Sequence, residues 1–169
     1  MPSLSVWSLR RVLLVGSASP MRSAMEAQLR GIGARIQPAP DPLTEEALCR
    51  TLHEGRYACI IMPDLPTLCP GDSQARLAAL NMLLGETREA GVPLVMMLGE
   101  ASWAECAPLF AHALGCAMGA QGDPVSVQCI RFSGGDTLHI CRQALELGAR
   151  FLAGETGCVG VFTLGDEDR

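Results

Sequence analysis

The chain has 169 residues, 49% of them apolar and 18% charged, with a formal net charge of -5. That length suits one domain with a full hydrophobic core, and that composition excludes a disordered chain. All thirteen basic residues are arginines, scattered except for Arg10-Arg11. The scatter argues against a nucleic-acid face, and the missing lysine excludes Schiff-base, P-loop and lysine-assisted mechanisms.

Eight cysteines (Cys49, Cys59, Cys69, Cys106, Cys116, Cys129, Cys141 and Cys158) form no C-x-x-C pair. Several sit inside apolar runs, where a free cysteine behaves as a small core residue. They read as reduced core positions of a cytoplasmic protein, not as a disulfide or metal framework. No apolar run approaches the ~18 residues a membrane span needs, and MPSLSVWSLRR lacks the build of a signal peptide. Residues 1–9 read as an N-terminal extension to a single domain over 10–169.

In chain order, RVLLVG (11–16) reads as a buried strand ending in glycine. Ser19-Pro20 opens a helix, with Ser19 as cap and Pro20 in the first turn. Met21, Ala24, Met25, Leu29 and Ile32 follow at helical spacing, and Gly31 and Gly33 end it. Residues 34–39 form a weak second strand, closed by Pro38-Ala39-Pro40-Asp41-Pro42. A second helix runs over 42–54, with Leu43, Ala47, Leu48 and Leu52 on one face. YACIIM (57–62) is a third strand, and the Pro- and Gly-rich stretch 63–72 is a loop.

A strong helix over 74–90 stops at Gly91, and VPLVMML (92–98) is a fourth strand. A small-residue helix covers 104–120, and PVSVQCIRF (124–132) is a fifth strand. A helix over 136–152 has Asp136 as its cap, and residues 157–164 form a sixth strand. This alternation predicts a Rossmann-like, doubly wound α/β fold: a parallel sheet of about six strands in three α/β/α layers. The expected strand order is 3-2-1-4-5-6.

In such a fold the first strand-helix turn is the place for a dinucleotide pyrophosphate. Here it reads Gly16-Ser17-Ala18-Ser19-Pro20-Met21-Arg22. The first glycine of the fingerprint is present; Ser19 and Arg22 stand at the second and third glycine positions. Ser19 puts a side chain where backbone should meet phosphate, and Pro20 removes an amide donor. The plain alternative is an ordinary capped helix; the functional one is a modified phosphate site of Gly16, Ser17, Ser19 and Arg22. Asp41 falls near the ribose-binding acid expected after strand two, although such a Pro-flanked acid is also a common turn former.

Several segments together resemble the short-chain dehydrogenase/reductase superfamily, in its extended NAD-dependent sugar-nucleotide epimerase/dehydratase branch. They are RVLLVGSASPMRSAMEAQLRGIGARI, LNMLLGETREAGVPLVMMLGEASW, DPVSVQCIRFSG, GDTLHICRQALEL and GCVGVFTLGDED. The resemblance implies an NAD(P)-binding domain and chemistry by a Tyr-x-x-x-Lys pair on a helix, with a Ser or Thr after strand four. In this chain Phe110 stands at the tyrosine position, Leu114 at the lysine position, and the serine position falls near Gly99. The single tyrosine, Tyr57, lies in strand three. The family's substrate-binding inserts are also missing, since only Ser133-Gly134-Gly135 separates strand five from the last helix. The resemblance therefore implies a degenerate, truncated member with NAD or NADP as its cofactor if one binds.

The first 65 residues also resemble a response-regulator receiver, with Asp64 near the phosphoacceptor position. That family needs acids after strand one and a lysine after strand five, which are absent here. Glu100, Glu105 and Asp64 fall at the ends of strands three and four, where an open α/β sheet binds ligands. His53, His112 and His139 lie on three separate helices. His112 with Cys116, or with Cys106, is a conceivable nucleophile or metal pair, without an oxyanion motif or a third ligand.

Three functions stand side by side. The first is a non-catalytic nucleotide-binding or protein-interaction module. The second is an oxidoreductase or epimerase completed by a partner subunit, and the third is a receiver-like signalling domain. Subunits of the resembled family pair through the helices flanking strand four, which predicts a homodimer through 74–90 and 104–120. Leu77, Leu80, Met82, Leu83 and Leu84 exceed one core-facing stripe, and the second helix is rich in Ala and Gly, with Cys116 and Met118.

Overall fold

Five short apolar runs and one polar run become six parallel strands: β1 (Arg11–Leu14), β2 (Arg35–Pro38), β3 (Cys59–Met62), β4 (Leu94–Gly99), β5 (Val127–Phe132) and β6 (Val159–Leu164), with β2 the polar one. Helices α1 (Pro20–Gly31), α2 (Glu45–Glu54), α3 (Ser73–Ala90) and α4 (Thr137–Leu152) connect them, and residues 100–105 are also helical. The computed structural model describes residues 4–40, 43–64, 72–105, 107–108, 126–155 and 159–164. No helix among these residues is long and apolar enough to cross a membrane.

Local chemistry sets the helix ends. Ser19 accepts the Arg22 N–H, Thr44 the Ala47 N–H and Asp72 the Ala75 N–H, each satisfying a first-turn donor. Gly91 ends α3 in the left-handed region, at φ 68°. Asp136 occupies the cap position of α4, but its side chain makes no capping bond. The expected cap is one in position only.

The sheet order is β2-β1-β3-β4-β5-β6, which corrects the expected 3-2-1-4-5-6. The cause lies in β2 itself. Arg35, Gln37 and Pro38 are exposed, and Pro38 has no N–H for a second neighbour. All four residues of β3 are buried, so it requires a neighbour on each side. Helix α2 accordingly carries the chain back over β1, leaving β2 at the edge.

Side-chain alternation divides the core. Leu13, Ile60, Met62, Leu94, Met96 and Cys129 pack beneath α2 and α3, while Val12, Leu14, Ile61, Val95, Met97 and Ile130 pack beneath α1 and α4. This arrangement fixes the hand of the crossovers. From β1 to β2 the chain steps one way with α1 on the second face. From β2 to β3 and from β3 to β4 it steps the other way with α2 and α3 on the first face, so these three share one hand. From β5 to β6 it steps like β3 to β4, yet α4 lies beside α1. That last crossover has the opposite hand, which parallel crossovers take in only ~2% of cases.

Two features of the packing escape the sequence pattern. Trp7, in a 3-10 turn (Leu4–Trp7), is fully buried, and its indole N–H donates to the Leu145 carbonyl of α4 at 2.9 Å. The segment ahead of β1 is thus part of the core. On α3, Leu80, Leu83 and Leu84 are all buried within the chain's own core. The leucines that looked surplus for a partner are used internally; the outer side of α3 carries Ala75, Ala78, Asn81 and Gly85. Cys59, Cys129 and Cys141 are buried and Cys49 is half-buried, all as free thiols. Cys69, Cys106, Cys116 and Cys158 lie outside the described residues, as do His112 and most of the 104–120 helix.

Candidate functional site

The chain direction reverses between β1 and β3, and in an open parallel sheet the crevice above such a point receives the ligand. The residues leaving β1 there are Gly16 and Ser17; those leaving β3 are Pro63 and Asp64. Gly16 has φ 118°, a conformation only glycine adopts readily, so the turn is built around it.

Four sequence-predicted residues, Gly16, Ser17, Ser19 and Arg22, come together in this turn, but two of the amides at the start of α1 are occupied. Ser19 Oγ accepts the Arg22 N–H at 3.0 Å, and the Ser19 carbonyl accepts the Ser23 N–H. Pro20 has no N–H, which leaves Met21 as the first-turn amide for an anion. The Arg22 side chain is only 18% exposed and lies 3.9 Å from Glu26, which also pairs with Arg30 at 2.9 Å. Its Nε is buried without a hydrogen-bond partner. Asp41 lies outside the described residues.

Where the resemblance asks for a catalytic serine, Gly99 ends β4, one strand further from β1 than the expected order would place it. A Cβ at Gly99 would touch the Phe132 ring at 3.5 Å, ordinary contact. The nearest serine in the sequence is Ser102, three residues on. It is 6% exposed and donates its hydroxyl to Asp64 Oδ1 at 3.3 Å. Sequence reasoning missed this pair because the partners are 38 residues apart; the signal available was that both follow buried strands that turned out to be neighbours. Phe110 and Leu114 lie outside the described residues.

Glu100 is exposed. Glu105 is held by Arg76 of α3 through two hydrogen bonds, of 3.0 and 3.1 Å, with both side chains about a fifth exposed. The acids foreseen at this edge therefore divide: Asp64 meets Ser102, Glu105 is neutralised, and Glu100 faces water. Beside them the Arg131 guanidinium lies over the Trp103 ring, 4.5 Å from its centroid, with its Nε buried and without a hydrogen-bond partner.

Among the described residues, three thiols are poor nucleophiles. Burial, with Asp136 adding to it, pushes Cys141 up to about 11, and burial raises Cys59 further still. On α2, Cys49 Sγ lies 3.7 Å from His53 Nδ1, the i, i+4 spacing considered for 112 and 116. Its thiol is raised, first by desolvation and then by Glu86 and Glu89, so the pair is not an activated one. Glu86 is itself raised by desolvation and by the neighbouring Glu89 and Glu45. Among the described residues no cluster of His, Cys, Asp and Glu could hold a metal ion.

Comparison with solved structures places this arrangement in a known fold. The structure of BdcA (YjgI) from E. coli is similar over 94% of this chain and 100% of its own, at 13% identity and a TM-score of 0.58. A double variant of a Serratia marcescens short-chain dehydrogenase/reductase matches over 94% and 96%, at 13% identity and a TM-score of 0.62. A short-chain dehydrogenase from Burkholderia cenocepacia J2315, in complex with NADP, matches over 92% and 88%, at 12% identity and a TM-score of 0.55. The chain has the Rossmann-like fold of short-chain dehydrogenase/reductase structures. No family model and no curated protein matches it.

Proposed function

We propose that this chain is a reductase-fold domain that binds a nucleotide in the crevice above β1 and β3 without carrying out hydride transfer. One observation carries the reading: Ser102, the serine closest in sequence to the catalytic-serine position, is buried and turned onto Asp64. The proton-transfer partners are missing as well, since the chain has no lysine and its one tyrosine precedes β3. The binding half of the site is better kept. Gly16 holds the turn open at φ 118° next to an α-helix N-terminus. With one free first-turn amide and Arg22 partly engaged by Glu26, the pyrophosphate contact is weak. Within the short-chain dehydrogenase/reductase superfamily, a degenerate epimerase/dehydratase-like member fits this combination.

Calorimetry with NAD and NADP, paired with a turnover assay on nucleotide sugars, tests the proposal. Binding at tens to hundreds of micromolar with no reduced cofactor formed is the expected result. Sustained turnover, by this chain alone or with a partner subunit, refutes the non-catalytic reading, and no binding at millimolar cofactor refutes the nucleotide reading.

A specific observation favours a receiver-like domain as the second reading. The first five strands have the order 2-1-3-4-5, with Asp64 at the end of β3 and Ser102 beside it. The sixth strand and its opposite-handed crossover lie beyond that pattern. Incorporation of phosphate at Asp64 from acetyl phosphate, abolished in Asp64→Asn, would select this reading instead.

A further inference from the structure

At the opposite end of the sheet, the starts of β1 and β3 and the end of α2 enclose a recess of about 140 Å³ lined by Arg11, Gln37, Thr51, Glu54, Gly55 and Tyr57. Arg11 is fixed in place: its Nη2 donates to Gln37 Oε1 at 2.9 Å, and its guanidinium stacks on the Tyr57 ring, 5.0 Å from the centroid. Tyr57 is 92% buried, since its exposure is 8%, and its ring lies so close over Gly55 that a Cβ there would come within 2.5 Å of it.

The electrostatics are bipolar. Arg11 and Glu54 line one recess yet form no ion pair, although five other arginines each lie within 4.0 Å of a carboxylate. The carbonyl end of α2 adds partial negative charge on the Glu54 side. Arg35, the register partner of Arg11 on the same sheet face, adds positive charge on the other. A cation or an anion alone would meet one favourable wall and one unfavourable wall. A ligand carrying both charges would bridge groups that the protein itself leaves apart.

We propose that this recess binds a small zwitterion, a free α-amino acid with a short or polar side chain. Arg11 takes the carboxylate through its free guanidinium edge. Glu54 and the last carbonyls of α2 take the ammonium group. The Tyr57 hydroxyl supplies the remaining hydrogen bond, and the volume admits a ligand the size of serine. The site lies at the far end of the strands from the nucleotide crevice and is independent of it.

Because Tyr57 is the only tyrosine in the chain, ring-labelled tyrosine gives one NMR signal that reports on this recess. L-serine is the probe, with N-acetylserine, serinamide, inorganic phosphate and sodium chloride as controls. A saturable shift with serine at millimolar or lower concentration is expected, with none of that size from the controls. In calorimetry, Glu54→Gln and Arg11→Lys should each weaken serine binding at least tenfold, and Tyr57→Phe several-fold, with unchanged far-UV circular dichroism. Exposed Glu54 keeps the test decisive even if an Arg11 variant disturbs the fold. The proposal is overturned by no saturable shift up to 20 mM serine, by equal shifts from either blocked derivative or from phosphate, or by an unaltered Glu54→Gln affinity.

Discussion

Replacing Gly148 with alanine puts two effects of opposite sign against each other. Gly148 lies inside α4, where alanine is favoured over glycine by about 1 kcal/mol. The new Cβ, however, would stand 2.7 Å from Trp7 Cζ2 and 3.3 Å from Cη2. Ordinary carbon contacts lie at ~3.5–4.0 Å, so the indole must retreat. It is fully buried and tethered to the Leu145 carbonyl, so retreat costs packing and a hydrogen bond. Overpacking of this kind costs about 1–3 kcal/mol, giving a net loss of about 0–2 kcal/mol once the helix gain is subtracted. In a Trp7→Leu background the six-membered ring is gone, and the same Gly148→Ala change should stabilise by about 0.5–1 kcal/mol. Trp7→Leu alone should cost about 2–4 kcal/mol. Urea melts of the four proteins, followed by far-UV circular dichroism, give the cycle directly. If Gly148→Ala has the same sign and size in both backgrounds, Trp7 is not packed on α4 as described.

The Arg76–Glu105 pair ties α3 to the helical segment after β4, and its partial burial puts its coupling at about 1–2 kcal/mol; a cycle of Arg76→Met and Glu105→Gln at low and high salt should show coupling that survives salt. Cys141 is raised from 9.0 to about 11, so its contribution to stability is complete below pH 9 and is lost as pH climbs through 11. Cys141→Ala should show less alkaline destabilisation than wild type, by about 1–2 kcal/mol at pH 11 after allowance for screening, and equal slopes in denaturant titrations from pH 8 to 11 would refute that. We also propose the homodimer through α3 and residues 104–120, now resting on the exposed small residues of α3. Sedimentation should show a dimer at tens of micromolar, about -6 to -7 kcal/mol, broken by Asn81→Arg with Gly85→Arg; a monomeric wild type ends the idea.

The existence and type of the strands and of the described helices were legible because period-2 and period-3.6 patterns survive in a chain built from Leu, Ala, Val, Ile and Met. Strand ends moved by one to three residues. Strand order was also legible in principle. Arg35, Gln37 and Pro38 could not occupy an interior strand, whereas Cys59–Met62 could not occupy an edge. The hand of the last crossover was not legible, because an amphipathic helix such as α4 fits either face of a sheet whose two sides are both apolar. The role of Trp7 was hidden for a related reason: one aromatic in a polar-looking leader has no periodicity to reveal its contact with Leu145, 138 residues away.

That order changes which residues form the site. With β2 at the edge, β3 stands between β1 and β4. The crevice beside Gly16 is therefore bordered by Asp64, and Gly99 is displaced by one strand. Asp64 and Ser102 then meet at the ends of neighbouring strands, although neither belongs to the glycine fingerprint nor to the Tyr-x-x-x-Lys pattern. Fingerprint residues can be sought by spacing because they share one turn or one helix. Residues brought together by strand adjacency have no fixed spacing, and only the sheet order reveals them. The same holds at the other end of the strands. Arg11, Gln37 and the pair Glu54 and Tyr57 come from three separate segments. Their meeting depends on β2, β1 and β3 being adjacent, so a recess with charge of both signs arises from arginines that look scattered along the chain.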